Sequence, residues 1–256
     1  YTGPDVYSFE KFYAMLEGAI ASKPNGLLCT MTNPEAMDDL LRKAIANGLP
    51  VMGIDTPDSR DPLKRIPYLS YLGDIPYAGG VLQGREALKR FRPKRVVYGN
   101  HHPGALNIQE RGQGLLDVMK SANIPAEAID ITEDPVKGAE ILLAYLKAHP
   151  DTDTISLANP LQTEALTVRL EESGLKPGKD IKIIMFDISE KTLEMMEQKK
   201  IVLSLDEQPY MQGVMGVAFM YLHIKYGFNP PPEIPTNGLY PENIKWLTEM
   251  VKQGYR

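Results

Sequence analysis

The chain has 256 residues, 43% hydrophobic and 24% charged, with 28 Lys and Arg against 33 Asp and Glu for a formal charge of −5. Those values exclude a disordered or fibrous protein, no run reaches the ~20 uninterrupted apolar residues of a membrane-spanning helix, and positive charge is not clustered as a nucleic-acid surface requires. Nucleic acid is therefore not expected as a partner, and the length predicts one large domain or two lobes.

Tyr1-Thr2-Gly3-Pro4 reads as the end of a strand entering a turn. Phe9, Phe12, Tyr13, Leu16 and Ile20 then recur at helical spacing from about Tyr7 to Ala21. A helix so close behind a strand's last residues implies that something upstream is missing. Gly26–Met31 is a short apolar strand, and Asn33-Pro34 opens a helix striped by Ala36, Leu40, Leu41 and Ile45. Pro50–Ile54 is a strand ending at Asp55, and after a charged loop Tyr68–Leu72 is another, ending at Gly73-Asp74. A helix near Tyr77–Phe91 leads to strand Arg95–Tyr98, which ends in Gly99-Asn100-His101-His102-Pro103-Gly104. The rhythm continues with helix Asn107–Ala122, strand Ala128–Ile131, helix Val136–His149, strand Thr154–Leu157 and helix Gln162–Ser173. Strand Ile181–Phe186, helix Glu190–Lys199, strand Ile201–Leu205 and helix Tyr210–Tyr226 come next. Pro230-Pro231-Pro232 reads as a rigid connector, and Pro241–Gln253 as a closing helix. Apolar strands separated by helical stretches predict parallel βαβ units, hence an α/β fold.

The residues just past each strand carry the most information, because ligands of open α/β sheets sit beyond the strands' carboxyl ends. Asn33, Asp55, Asp74, Asn100, Asn159, Asp187 and Glu207-Gln208 stand there. Each has a second reading as the N-cap that a strand-to-helix loop needs. Asp55 and Asp187 come directly after apolar strands, and a carboxylate held by a rigid strand accepts two hydroxyl hydrogen bonds at once. That geometry suits vicinal hydroxyls of a sugar or polyol.

Catalytic and cofactor motifs are not found. There is no phosphate loop, no strand-linked Gly-x-Gly-x-x-Gly and no Gly-x-Ser-x-Gly elbow, so no cofactor and no enzymatic activity are expected. His101 and His102 are adjacent, and adjacent side chains diverge, which favours an exposed loop over a metal pair. Cys29, the sole cysteine, reads as a core residue and Trp246 as a packing residue.

Six segments in order, Met31-Thr32-Asn33-Pro34, Pro50–Asp55, Glu110-Arg111-Gly112-Gln113-Gly114, Leu157-Ala158-Asn159, Phe186-Asp187 and Asp206–Gly213, resemble type I periplasmic sugar-binding proteins of the ribose-binding branch. The resemblance implies two Rossmann-like lobes with parallel sheets joined by a three-segment hinge, residues 1–73 with 209–236 and residues 74–208 with 237–256. It also implies that an N-terminal strand–helix–strand precedes Tyr1. Asn33 and Asp55 match first-lobe positions that bond sugar hydroxyls. Arg111, Asn159 and Asp187 match the second lobe's arginine, amide and carboxylate, Phe186 an aromatic beside the ring, and Glu207 a further contact. Two residues depart from the pattern: Glu207 stands where relatives carry Gln, and Thr56 where the ribose branch carries Arg. Both remove or oppose positive charge, which points away from ribose toward a differently hydroxylated or amine-bearing solute.

The function so implied is capture of a sugar or polyol by a monomeric, periplasmic or membrane-anchored extracellular protein that serves an ABC permease. Asp187→Ala is expected to weaken binding without loss of folding. The alternatives are the effector-sensing core of a Lac-repressor-type regulator, which needs an upstream DNA-binding helix pair, and an enzyme using Asp55, Asp187 and Glu207 as acid and base.

Overall fold

A computed structural model of the chain describes residues 3, 8–236, 238, 239 and 245–254. The expected strand end at Tyr1-Thr2-Gly3-Pro4, apart from Gly3, the start of the closing helix at Pro241 and the side chain of Trp246 lie outside the described residues. In chain order the elements are α1 (Phe9–Ala21), β1 (Leu27–Cys29), α2 (Pro34–Ala46), β2 (Val51–Asp55), β3 (Tyr71–Gly73), α3 (Pro76–Arg90) and β4 (Val96–Asn100). Then come α4 (Leu106–Ser121), β5 (Ala126–Asp130), α5 (Pro135–Ala148), β6 (Thr154–Leu157), α6 (Pro160–Glu172) and β7 (Lys182–Phe186). The last are α7 (Glu190–Glu197), β8 (Ile201–Asp206), α8 (Pro209–Tyr226), β9 (Glu233–Pro235), β10 (Gly238–Leu239) and α9 (Lys245–Lys252). Helices α2, α3, α5, α6 and α8 each begin on proline, whose fixed φ and missing N–H suit a first turn.

These elements pack as two compact units, Tyr1–Asp74 with Pro209–Thr236 and Ile75–Gln208 with Asn237–Arg256. The first unit holds a parallel sheet in the order β1-β2-β3-β9. Its core joins Leu16 of α1, Cys29 of β1, Met37 and Leu41 of α2, and Val51 of β2. Helix α8 packs on β2 and β3, where Gly216 meets Leu28 and Ile54. Strand β9 is not expected from the sequence, where Pro230–Pro232 reads only as a rigid connector. Those prolines lead straight into it, and their carbonyls are used: Tyr71 N–H donates to Pro232 O at 2.9 Å and Ser70 Oγ–H to Pro231 O at 2.6 Å. A proline lacks a donor but keeps its acceptor, which an edge position allows.

The second unit holds a sheet in the order β10-β8-β7-β6-β4-β5, parallel except for the short β10 lying antiparallel on β8. Successive residues feed opposite faces. Val97 and Ile183 join one core with Leu142 and Leu166, whereas Val96 and Ile184 join another with Leu115 and Leu203. Burial on both faces is why these strands are continuously apolar. The exception is β5, an edge strand with Glu127 and Asp130 among its residues.

Helices α3 and α4 approach each other through glycine. A Cβ on Gly80 would overlap the Arg111 carbonyl oxygen, one on Gly114 the Tyr77 carbonyl oxygen, and one on Gly112 would come within 2.7 Å of the Tyr98 ring. Backbone cannot give way as a flexible side chain can, so the helices must separate to admit a methyl group. Gly80→Ala is expected to lower stability by about 1–3 kcal/mol, measured by urea unfolding followed by circular dichroism. An unchanged midpoint would show that the contact is not tight.

Candidate functional site

In the second unit the chain runs from β4 outward to β5, then returns to β6 on the other side of β4 and continues to β7 and β8. The strand order therefore reverses between β4 and β6, and a crevice for a ligand opens at such a reversal, beyond the carboxyl ends. Asn100 ends β4 and is followed by His101, and Asn159 comes just after β6. Asn159 caps α6, its Oδ1 accepting from Gln162 N at 2.9 Å. Asn100 is buried, with Nδ2 donating to Asp130 Oδ1 at 3.1 Å and Oδ1 accepting from His102 N at 3.2 Å.

Arg111, on α4, and Glu207, just past β8, form a buried ion pair, the residues being 4% and 8% exposed. The guanidinium lies 4.8 Å from the centroid of the Phe186 ring. Phe186, expected beside a sugar ring, is fully buried in the unit's core, and it is Arg111 that lies over its ring. A cation above an aromatic face gains from the ring quadrupole, most of all away from water. Asp187 succeeds Phe186 with φ +63°, the left-handed region. Its N–H donates to Leu205 O at 2.6 Å, its carbonyl accepts from Ser204 Oγ at 2.5 Å, and its Oδ1 lies 3.4 Å from Glu207 N. Asp187, Arg111, Phe186 and Glu207 are thus one connected group.

That backbone corrects the variant suited to testing Asp187. Aspartate tolerates the left-handed region, whereas alanine there is strained. Asp187→Ala would perturb the strand end as well as remove the carboxylate. Asp187→Asn keeps the conformation and removes only the charge.

In the first unit Asp55 ends β2 in the same left-handed conformation, φ +64°. The hydroxyl of buried Tyr71 lies 2.5 Å from the Asp55 carbonyl and 2.7 Å from the Asp74 carbonyl, bridging the ends of β2 and β3. Thr56 Oγ1 donates to Asp55 Oδ2 at 3.1 Å, so Thr56 engages the carboxylate itself. Asn33 is exposed and caps α2, its Oδ1 accepting from Ala36 N at 3.2 Å. For Asn33 and Asn159 the cap reading holds for the carbonyl oxygen, while each amide keeps an NH2 that can donate.

Three further residues at strand ends are not among the binding residues expected from the sequence. Thr30 Oγ1 and Thr32 Oγ1, beyond β1, and His101 Nδ1, beyond β4, are buried atoms without a hydrogen-bond partner among the described residues. A buried polar atom left unpaired calls for a partner outside the chain, water or ligand. His101 and His102 do diverge, as adjacent side chains should. His102 Nδ1 pairs with Glu133 Oε1 and its side chain is half-exposed, whereas His101 turns its Nδ1 inward. Among the described residues no group of three or more His, Cys, Asp and Glu could hold a metal ion. Cys29 is buried, as a core residue should be, and burial pushes its thiol up to about 12, so it is inert as a nucleophile.

Burial, with further contributions from neighbouring His102 and Arg111, lowers the His101 pKa from 6.5 to about 4, against an opposing effect of Glu133. The unfolded chain takes up a proton at this residue before the folded one does. Its contribution to stability is therefore complete above pH 6.5, declines as pH falls, and levels off below about 4. Urea midpoints measured between those limits should fall more steeply for the native protein than for His101→Asn. Parallel pH profiles would show that His101 is not held neutral.

The model of the periplasmic binding protein domain family matches residues 1–227. Xylose/arabinose-binding protein XylF of Sulfolobus acidocaldarius is 26% identical over a 271-residue alignment covering 100% of this chain and 64% of that protein. Ribose import binding protein RbsB of Bacillus subtilis is 24% identical over 200 residues, 77% of this chain and 62% of that protein. The chain thus spans less than two thirds of the length of either relative. A solved structure of a periplasmic sugar-binding protein of an ABC sugar transporter from Legionella pneumophila superposes with a TM-score of 0.82 at 24% identity, over 92% of this chain and 86% of that one. That likeness is one of fold. With the family model matching all but the last 29 of its 256 residues, the chain belongs to the periplasmic binding protein domain family.

Proposed function

We propose that the chain captures a sugar or polyol outside the cytoplasm and delivers it to an ABC permease. The observation that carries this reading is the strand reversal between β4 and β6, with Asn100 at the end of β4 and His101 and Asn159 beyond the ends of those two strands. Arg111, Asn159, Asp187 and Glu207 of the second unit, and Asn33 and Asp55 of the first, are the ligand-binding residues, with Phe186 supporting Arg111 from below. Carboxylates accept hydroxyl hydrogen bonds, amides donate and accept, and the guanidinium donates in a fixed fork. A molecule bearing hydroxyls on all sides uses that mixture fully.

The names of XylF and RbsB, a xylose/arabinose-binding and a ribose import binding protein, support transport over a regulator's sensing core. Acid–base catalysis fits the geometry less well, because Glu207 is committed to Arg111. The protein acts as a monomer, either periplasmic or anchored at the outer face of a membrane.

A thermal-shift screen against pentoses, hexoses, polyols and inositols tests the reading, since a ligand at 100 times its Kd adds about 2.7 kcal/mol of apparent stability. No shift with any of them would refute it. For the sugar that binds, Asp187→Asn should weaken affinity by about tenfold or more in calorimetry, because a charge-assisted hydrogen bond contributes about 1.5–3 kcal/mol. Its melting temperature without ligand should stay close to that of the native protein. Native-like affinity in Asp187→Asn would remove Asp187 from the site.

A further inference from the structure

Arg111 already has a carboxylate partner within the protein. Glu207 takes a guanidinium nitrogen, Phe186 covers one face of the group, and the pair is nearly sealed from solvent. An anionic solute seeks such a guanidinium, because carboxylate and phosphate match its geometry. Here it would have to displace a carboxylate supplied by the protein. It would also approach Asp187, whose Oδ1 lies 3.4 Å from the backbone nitrogen of Glu207. Two acidic side chains therefore stand beside one basic one, and a third negative charge would meet repulsion that burial screens poorly. His101 offers no compensation, since it is neutral at neutral pH.

We infer that Glu207 sets the charge class of the solute: paired with Arg111, it admits uncharged polyhydroxyl molecules and turns away their carboxylate and phosphate derivatives. This rests on the sugar-and-polyol reading above and adds to it a residue that determines specificity. Glutamine in place of Glu207 keeps the shape and one acceptor oxygen but removes one of the two negative charges. An anion approaching Arg111 would then meet less repulsion and no competing carboxylate from Glu207.

The test is calorimetry on matched pairs: D-xylose with D-xylonate, D-glucose with D-glucuronate, and myo-inositol with myo-inositol 1-phosphate. The native protein and Glu207→Gln are both titrated, with circular dichroism confirming that the variant folds. For the uncharged member that binds the native protein, its anionic partner should bind at least about tenfold more weakly. In Glu207→Gln that ratio should shrink by about fivefold or more. A native ratio below tenfold overturns the inference even if the variant does not fold, and so does a ratio that Glu207→Gln leaves unchanged. If no uncharged member binds the native protein, the sugar-and-polyol reading fails and takes this inference with it. If one binds and the ratios disagree with expectation, only the role of Glu207 fails.

Discussion

A guanidinium removed from water is stable only where an anion and further contacts replace its hydration. Arg111 is 4% exposed, and the second unit is arranged to meet that requirement. Glycines on α3 and α4 let the two helices touch backbone to backbone at Arg111 itself. The side chain then lies on Phe186 at the end of β7 and reaches Glu207 beyond β8. The Glu207 backbone is in turn close to the Asp187 carboxylate. Helix contact, core aromatic, ion pair and strand-end carboxylate form one sequence of dependence. A methyl group added at Gly80 would be felt at Asp187.

The first unit solves a different problem. Its two strand-end acids, Asp55 and Asp74, belong to neighbouring strands, and one tyrosine hydroxyl sits between their carbonyls. Tyr71 thus fixes the backbone on which the Asp55 carboxylate stands, left-handed conformation included. Close by, Thr236 N–H donates to Gly73 O at 3.0 Å, and Gln212 Nε2–H to Thr236 Oγ1 at 3.1 Å. The segments by which the chain leaves and re-enters this unit are therefore bonded to one another. In both units an aspartate at a strand's end holds a conformation that most side chains avoid, and such strain persists where surrounding contacts fix it.

The sheets and most helices were legible because their causes are local: apolar runs for strands buried on both faces, proline at a first turn, asparagine at an N-cap. Strand β9 was not, because three prolines precede it and its pairing to β3 joins residues about 160 positions apart. At the site, residue types were legible and their engagements were not. Nothing near Glu207 in sequence announces Arg111, which lies 96 positions away. The left-handed backbone at Asp55 and Asp187 is not readable from an aspartate after an apolar strand, since an ordinary cap has the same letters. For His101 and His102 the divergence of adjacent side chains is legible, but not that it exposes one ring and buries part of the other, because that depends on which way the loop is turned.

The burial of Cys29 has a practical consequence. With the sole native thiol enclosed in the first unit's core and far from its reactive form at neutral pH, a cysteine introduced on the surface would be the one position open to maleimide reagents. A dye attached there would carry the whole optical signal of the protein without prior removal of the native sulfur. Changes in the surroundings of that dye could then be followed from any chosen vantage point on an otherwise unaltered molecule.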